Sequence, residues 1–233
     1  MSVFVLIPAA GMGRRMGATV NKQYLPLNGW PILAHTIALF DQHPLIDKIY
    51  LITPADEFEL CRREVLKPNS FSKVQELVPG GAERQDSVRN GLQACVAGPE
   101  DIVLIHDGVR PLLQPALIDK LVAQVQARGA CLVGVPVKDT IKQVVDGRIA
   151  GTPKRSGLWQ AQTPQAFRYG QILDAYQRAQ QDGFRGTDDA SLLERLGQSV
   201  TVVAGSYRNI KITTPEDLLL ARVFLDNPEE DCP

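Results

Sequence analysis

Metal-ligand spacing is missing from this 233-residue chain: Cys61, Cys95, Cys131 and Cys232 form no C-x-x-C pair, and only His35, His43 and His106 accompany them. A structural zinc site is disfavoured, and the thiols read as buried or incidental in a reducing compartment. A basic excess is missing too, since 25 Lys and Arg stand against 26 Asp and Glu. A general nucleic-acid binder would show one, so nucleic acid is not an expected partner. No apolar run approaches the roughly 18 residues of a membrane span. The run Val3–Ile7 is too short for a signal-peptide core, and no Lys or Arg precedes it. The expected location is cytoplasmic, or the plastid stroma if a transit peptide has been removed, with no membrane partner. With 44% hydrophobic residues and a net charge of −1, the composition also excludes intrinsic disorder.

What is present is an alternation. Val3–Ile7, Ile49–Thr53, Val74–Val78, Ile102–His106, Cys131–Val137 and Val200–Val203 are short β-branched runs that read as strands. Between most of them, apolar residues recur at three- and four-residue spacing. Leu33, Ile37 and Phe40 share a helical face after Pro31, as do Leu117, Leu121 and Val125 after Pro115, and both prolines suit a first helical position. Thr214 can cap a last helix, with Pro215, Glu216 and Asp217 in its first turn. Continuous apolar strands covered by helices predict an α/β sandwich around a mostly parallel sheet. One stretch breaks the rhythm: Thr140–Val145, Asp146-Gly147 and Arg148-Ile149 read as a β-hairpin, either a projecting arm or a surface decoration.

PAAGMGRRMG, Pro8 to Gly17, follows the first strand directly. Small residues at a strand's C-terminal end let backbone amides approach a phosphate closely. The loop lacks the Gly-Lys-Ser/Thr of a Walker A sequence and misses the dinucleotide spacing, its glycines being 11, 13 and 17. An NAD-binding oxidoreductase is excluded on that spacing. Arg14, Arg15 and Lys22 instead place three cations in a stretch, residues 1–40, that holds no carboxylate. That pattern suits a polyanion such as a nucleoside triphosphate.

The same loop continues into NKQYLPLNGWPIL, and six further motifs follow in order. They are GGAERQDSVRNGL (Gly80–Leu92), IHDGVRP (Ile105–Pro111), PVKDTIK (Pro136–Lys142), RSGLWQAQTPQAF (Arg155–Phe167), GTDDAS (Gly186–Ser191) and NIKITTPEDL (Asn209–Leu218). Together they resemble the sugar-phosphate nucleotidyltransferases and, more narrowly, the 2-C-methyl-D-erythritol 4-phosphate cytidylyltransferases of the non-mevalonate isoprenoid route. The resemblance runs from about Leu6 to Leu225. It implies a Rossmann-like domain over residues 1–225, with a dimerisation arm at about 137–156; residues 226–233 read from composition as an acidic, Pro-containing tail expected to fray. It also implies transfer of a cytidylyl group from CTP to a polyol phosphate, with Mg²⁺ (or another divalent cation) as cofactor and a homodimer formed through the arm.

By the same resemblance, Arg15, Lys22 and Lys211 are catalytic cations, and Asp107 ligates the metal. The nucleotide would be held by Ala9, Ala10, Gly11 and Gly13, with Gly81, Ser87 and Gly108, beside Arg15 and Lys22. The acceptor would meet Arg110, Thr140, Arg155, Thr163, Thr187 and Lys211. Asp139, Asp188 and Asp189 either assist or serve in caps and salt bridges. His106 reads as a core histidine and Trp159 as packing or a dimer contact. Three positions depart from the family pattern: Asn21 replaces a proline, Gly108 an alanine and Ala82 an aspartate. Loss of the proline's fixed φ at Asn21 is expected to loosen the loop. Two rival readings are a ribitol-5-phosphate cytidylyltransferase and an inactive nucleotide-binding regulator. The second would be expected to have lost Lys22, Asp107 or Lys211, and all three are present.

Overall fold

The computed structural model describes residues 1–11 and 21–227. β1 (Val3–Pro8) is followed by a small ribbon of β2 (Pro26–Leu27) and β3 (Trp30–Pro31), then by α1 (Ile32–Asp41). Next come β4 (Lys48–Thr53), the short helices α2 (Phe58–Cys61) and α3 (Lys67–Asn69), β5 (Val74–Pro79) and α4 (Arg84–Ala94). β6 (Ile102–Ile105), α5 (Ala116–Arg128) and β7 (Ala130–Pro136) lead to a hairpin of β8 (Gln143–Val145) and β9 (Arg148–Gly151). β10 (Trp159–Arg168), α6 (Tyr169–Gln181), α7 (Ala190–Arg195), β11 (Thr201–Ala204) and α8 (Pro215–Asp226) complete the order.

Seven strands form one sheet in the order β11-β7-β10-β6-β1-β4-β5. β10 runs antiparallel to both β6 and β7, and the other pairings are parallel. The period of two along β1 sorts its side chains onto two faces. Val3, Val5 and Ile7 join Leu33, Ile37 and Phe40 of α1 and Leu117 and Leu121 of α5 on one side. Phe4 and Leu6 join Val88 and Leu92 of α4 and Ile172 and Tyr176 of α6 on the other. Each such fully buried apolar side chain contributes about 1.5–3 kcal/mol, so this double-sided burial is the main force holding the layers together.

Several sequence expectations shift in detail. Pro31 and Pro115 stand at the caps of α1 and α5, one place before the first helical residue. Thr214 does cap α8, accepting from the Asp217 amide at 3.3 Å with Pro215 in the first turn. The strand expected to reach His106 ends at Ile105. Asp146 (φ 50°) and Gly147 (φ 75°) make the tight turn of the hairpin. That hairpin is a separate two-stranded sheet, bonded to none of the seven strands. Its β8 is exposed throughout, and β9 nearly so. No helix among the described residues is long and apolar enough to cross a membrane.

Candidate active site

Backbone bonds lace the C-terminal ends of the parallel strands into one rim. The Ala9 amide donates to Ile52 O at 2.7 Å, Gly80 to Thr53 O at 2.9 Å, and Gly108 to Pro8 O at 3.1 Å. Above this rim lies a cavity of about 460 Å³, in the range of small-molecule sites. Ala9, Ala10, Gly11, Lys22, Gly81, Ser87, Asp107 and Lys211 line it, eight of the residues singled out from sequence. At Gly81 a Cβ would lie 2.3 Å from Asp86 Cβ and 2.9 Å from its carbonyl carbon, so the loop closes onto α4 only with glycine there. The Gly81 amide donates to Ser87 Oγ at 2.9 Å, and that hydroxyl donates in turn to Glu83 O at 3.0 Å.

Asp107 sits at the floor, just past β6, with its side chain 8% exposed. Arg84 Nε donates to Oδ1 at 3.2 Å, while Arg110 Nε at 3.4 Å and Lys211 Nζ at 3.0 Å share Oδ2. Burial alone would raise this pKa, but the combined pull of Arg84, Lys211 and Arg110 outweighs it and holds the carboxyl well below the usual range. Asp107 is therefore a permanent anion framed by cations.

The backbone beneath it is fixed by a buried relay. The Asp107 amide donates to Thr163 Oγ1 at 3.1 Å, and Thr163 faces His106 Nδ1 at 3.2 Å. His106 Nε2 meets Arg110 O at 2.9 Å. A carbonyl can only accept, so Nε2 carries the proton and Nδ1 accepts from the threonine hydroxyl. Burial pushes the imidazole down to about 4, which keeps it neutral. His106 is thus the core histidine that its sequence position suggests.

Lys211 arrives on irregular chain between β11 and α8. Specific bonds replace a sheet ladder there. Asn209 Nδ2 donates to Gln162 Oε1 (3.1 Å) and Thr163 O (2.9 Å), its carbonyl accepts from Arg110 Nη1 (2.7 Å), and Ile212 N donates to Val109 O (2.9 Å). At Asn21, φ is −60°, the value a proline would impose. Its side-chain Nδ2 donates to Glu57 Oε1, and Gln23 Nε2 reaches Oε2 of the same carboxylate at 3.3 Å. The loosening expected from the lost proline is offset by this clamp on both sides of Lys22.

The remaining predicted residues lie apart from the cavity lining. Gly108 packs beneath it, where a Cβ would stand 3.0 Å from Ala9 Cβ, and its carbonyl accepts from Thr36 Oγ1. Arg110 and Thr163 are committed to the bonds just described. Thr187 is exposed before α7, and Thr140 and Arg155 are exposed on or beside the hairpin. Gly13, Arg14 and Arg15 fall outside the described residues. Sequence reading passed over Arg84, a lining residue whose guanidinium also pairs with buried Asp189. The signal lay within GGAERQDSVRNGL, but its partner lies in a different motif.

Comparison with known proteins agrees with this architecture. Residues 3–227 match the model of the family described as 2-C-methyl-D-erythritol 4-phosphate cytidylyltransferase (IspD). A relative of that name from Syntrophotalea carbinolica is 70% identical over 98% of both chains. Another from Geobacter metallireducens is 55% identical over 97% of this chain and 98% of its own. The crystal structure of 4-diphosphocytidyl-2C-methyl-D-erythritol synthase from Anaerococcus prevotii superposes with a TM-score of 0.84 at 32% identity, covering 97% of this chain and 96% of that one. The Francisella tularensis 2-C-methyl-D-erythritol 4-phosphate cytidylyltransferase gives 0.80 at 33%, covering 96% and 99%. With a match that spans both layers and every strand end of the cavity, the chain belongs to the 2-C-methyl-D-erythritol 4-phosphate cytidylyltransferase family.

Proposed function

We propose that this chain transfers a cytidylyl group from CTP to 2-C-methyl-D-erythritol 4-phosphate, releasing pyrophosphate. The carrying observation is the cavity that gathers Lys22, Asp107 and Lys211 above parallel strand ends in a chain of this family. In the reaction a phosphate oxygen of the acceptor attacks the α-phosphorus of CTP, and the bond to the β,γ-pyrophosphate breaks. Negative charge gathers around one phosphorus, so positioning and electrostatic stabilisation dominate. Lys22, with Arg15, is assigned to the triphosphate, and Lys211 to the transferring phosphoryl group. Backbone around Ala9, Ala10 and Gly11 is assigned to the base.

Magnesium suits the donor set. Asp107 is ionised and faces the cavity, and its Oδ1 accepts from Arg84 while keeping a further lone pair. One carboxylate matches an ion that completes its shell with phosphate oxygens and water. When bound, it would neutralise phosphate charge. Arg84 and Arg110 keep Asp107 oriented for it.

The acceptor's phosphate is assigned to Thr140 and Arg155. Both stand outside the cavity lining, and the hairpin between them exposes Val144, Val145 and Ile149. Exposed apolar side chains on an arm carrying site residues support a homodimer in which each arm completes the neighbouring site.

The direct test offers the purified protein CTP and Mg²⁺ with either methylerythritol phosphate or ribitol 5-phosphate, and measures pyrophosphate. Release with methylerythritol phosphate is expected. Preference for ribitol phosphate, or release with neither, rejects the reading.

A further inference from the structure

We infer that Arg84 is a positioning residue, tying the carboxylate at the cavity floor to the segment that carries Thr187. The inference rests on the function proposed above and adds a residue to it. Arg84 is the first residue of α4, so it follows the glycine loop that borders the cavity. Its Nη1 and Nη2 donate to the two oxygens of Asp189, both at 2.8 Å, and its Nε reaches Asp107 Oδ1 at 3.2 Å. Asp189 is fully buried at the cap of α7, where Oδ1 also accepts from Tyr176 at 2.5 Å. The neighbouring Asp188 is held as well, by Gln165 Nε2 at 2.8 Å and Ser191 N at 3.0 Å.

A bidentate guanidinium–carboxylate pair fixes both distance and direction. The third N–H of Arg84 is then aimed at Asp107 with little freedom to follow anything else. Lys211 differs: its side chain is 39% exposed, and a single ammonium contact with Oδ2 is all that its pair with Asp107 provides. Arg84, like Arg110 with its bond to Asn209 O, is therefore a fixed cation of this cluster, and Lys211 is the one able to turn toward a phosphate. A buried carboxylate such as Asp189 is costly to desolvate, and an apolar side chain would fill its space more cheaply. Its use here is geometric. It locks the helix of the nucleotide loop, the end of β6 and the stretch before α7 into one register.

The test compares Arg84→Lys, Asp189→Asn and the double variant in pyrophosphate release, with thermal melts for each. Lysine keeps the charge and loses the fork. Arg84→Lys is expected to lower kcat by about 10²-fold, the scale of a 1 Å misplacement. KM for methylerythritol phosphate should rise severalfold and KM for CTP less, because the Gly81–Ser87 bond still ties the nucleotide loop to α4. Asp189→Asn should reproduce that split, and the double variant should be no worse than Arg84→Lys, because the pair acts as a unit. Near-normal kinetics in folded Arg84→Lys, or losses that multiply in the double variant, overturn the inference. So does a lower melting temperature with unchanged kcat. Should those variants fail to fold, Tyr176→Phe removes one bond to Asp189 and leaves the ion pair. The same split at smaller size is then expected, and unchanged kinetics overturn the inference. An inactive wild type overturns the proposed function and this inference together, whereas an active wild type with an indifferent Arg84→Lys overturns the inference alone.

Discussion

Lys211 Nζ lies 3.0 Å from Asp107 Oδ2, joining the segment before α8 to the end of β6 across the cavity floor. The carboxylate keeps Arg84 and Arg110 when the ammonium leaves, so the lysine is separable from the fold. Lys211→Met should lower kcat/KM by about 10²-fold or more, the scale of losing one preorganised charge contact. The thermal midpoint should move little. Pyrophosphate release and melting curves check both parts, and activity within threefold of wild type would reject the assignment.

Gly81→Ala tests the closure of the loop onto α4. The new methyl would meet Asp86 backbone, which cannot swing aside as a flexible side chain could. The first turn of the helix must shift, costing about 1–3 kcal/mol in stability as overpacking does. Because Gly81 and Ser87 both line the cavity, CTP binding measured by calorimetry should weaken at least about tenfold, which is about 1.4 kcal/mol. Unchanged affinity would place the nucleotide elsewhere.

His106 makes stability depend on pH. In the unfolded chain its imidazole titrates near 6.5, and in the folded protein near 4, because burial disfavours the charged ring. Between those values the unfolded state binds the extra proton. The contribution is full above pH 6.5 and is lost as pH falls toward 4, by up to about 1.4 kcal/mol per pH unit. Urea midpoints at pH 7, 6 and 5 should therefore fall more steeply for wild type than for His106→Gln. Parallel curves would mean that His106 is not held neutral.

The arm is tested by complementation. The Lys22→Ala and Arg155→Ala proteins, each alone, should release little pyrophosphate. If Arg155 serves the neighbouring cavity, a mixed dimer holds one doubly damaged site and one intact site. Mixing equal amounts should regain about a quarter of wild-type activity, since half the dimers are mixed and each has half its sites restored. Confirmed subunit exchange without regained activity would count against the arm's role.

The strands built from β-branched runs, β1, β4 and β7 among them, were legible because burial on both faces requires continuous apolar sequence. β10 was not. Its Gln160, Gln162, Thr163, Pro164 and Gln165 resemble loop chemistry, and a proline argues against a central strand. The fold accommodates them through a register shift between Ala161 and Gln165. Their polar groups are satisfied from neighbouring segments, as when Gln165 Oε1 accepts from Ala190 N at 2.9 Å. Lys22, Lys211 and Asp107 were legible through their motifs, whereas Arg84 was not. Its pairing with Asp189 was not legible either, because neither residue's local sequence specifies a partner 105 positions away.

The reversal of β10 also decides where the arm can be. β7 ends at Pro136, and Trp159 opposite it begins a strand running the other way, so the 22 residues between them are simply a long hairpin loop. A hairpin returns to the edge it left, and here that edge carries Asp107 and Ala9. A parallel β10 would have needed a crossover to the far side of the sheet. As a loop insertion, the arm is decoupled from the sheet's register, and doubling its length would cost only about 0.6 kcal/mol in closure entropy. Its length can thus change without rebuilding the strand ends that hold Ala9 and Asp107.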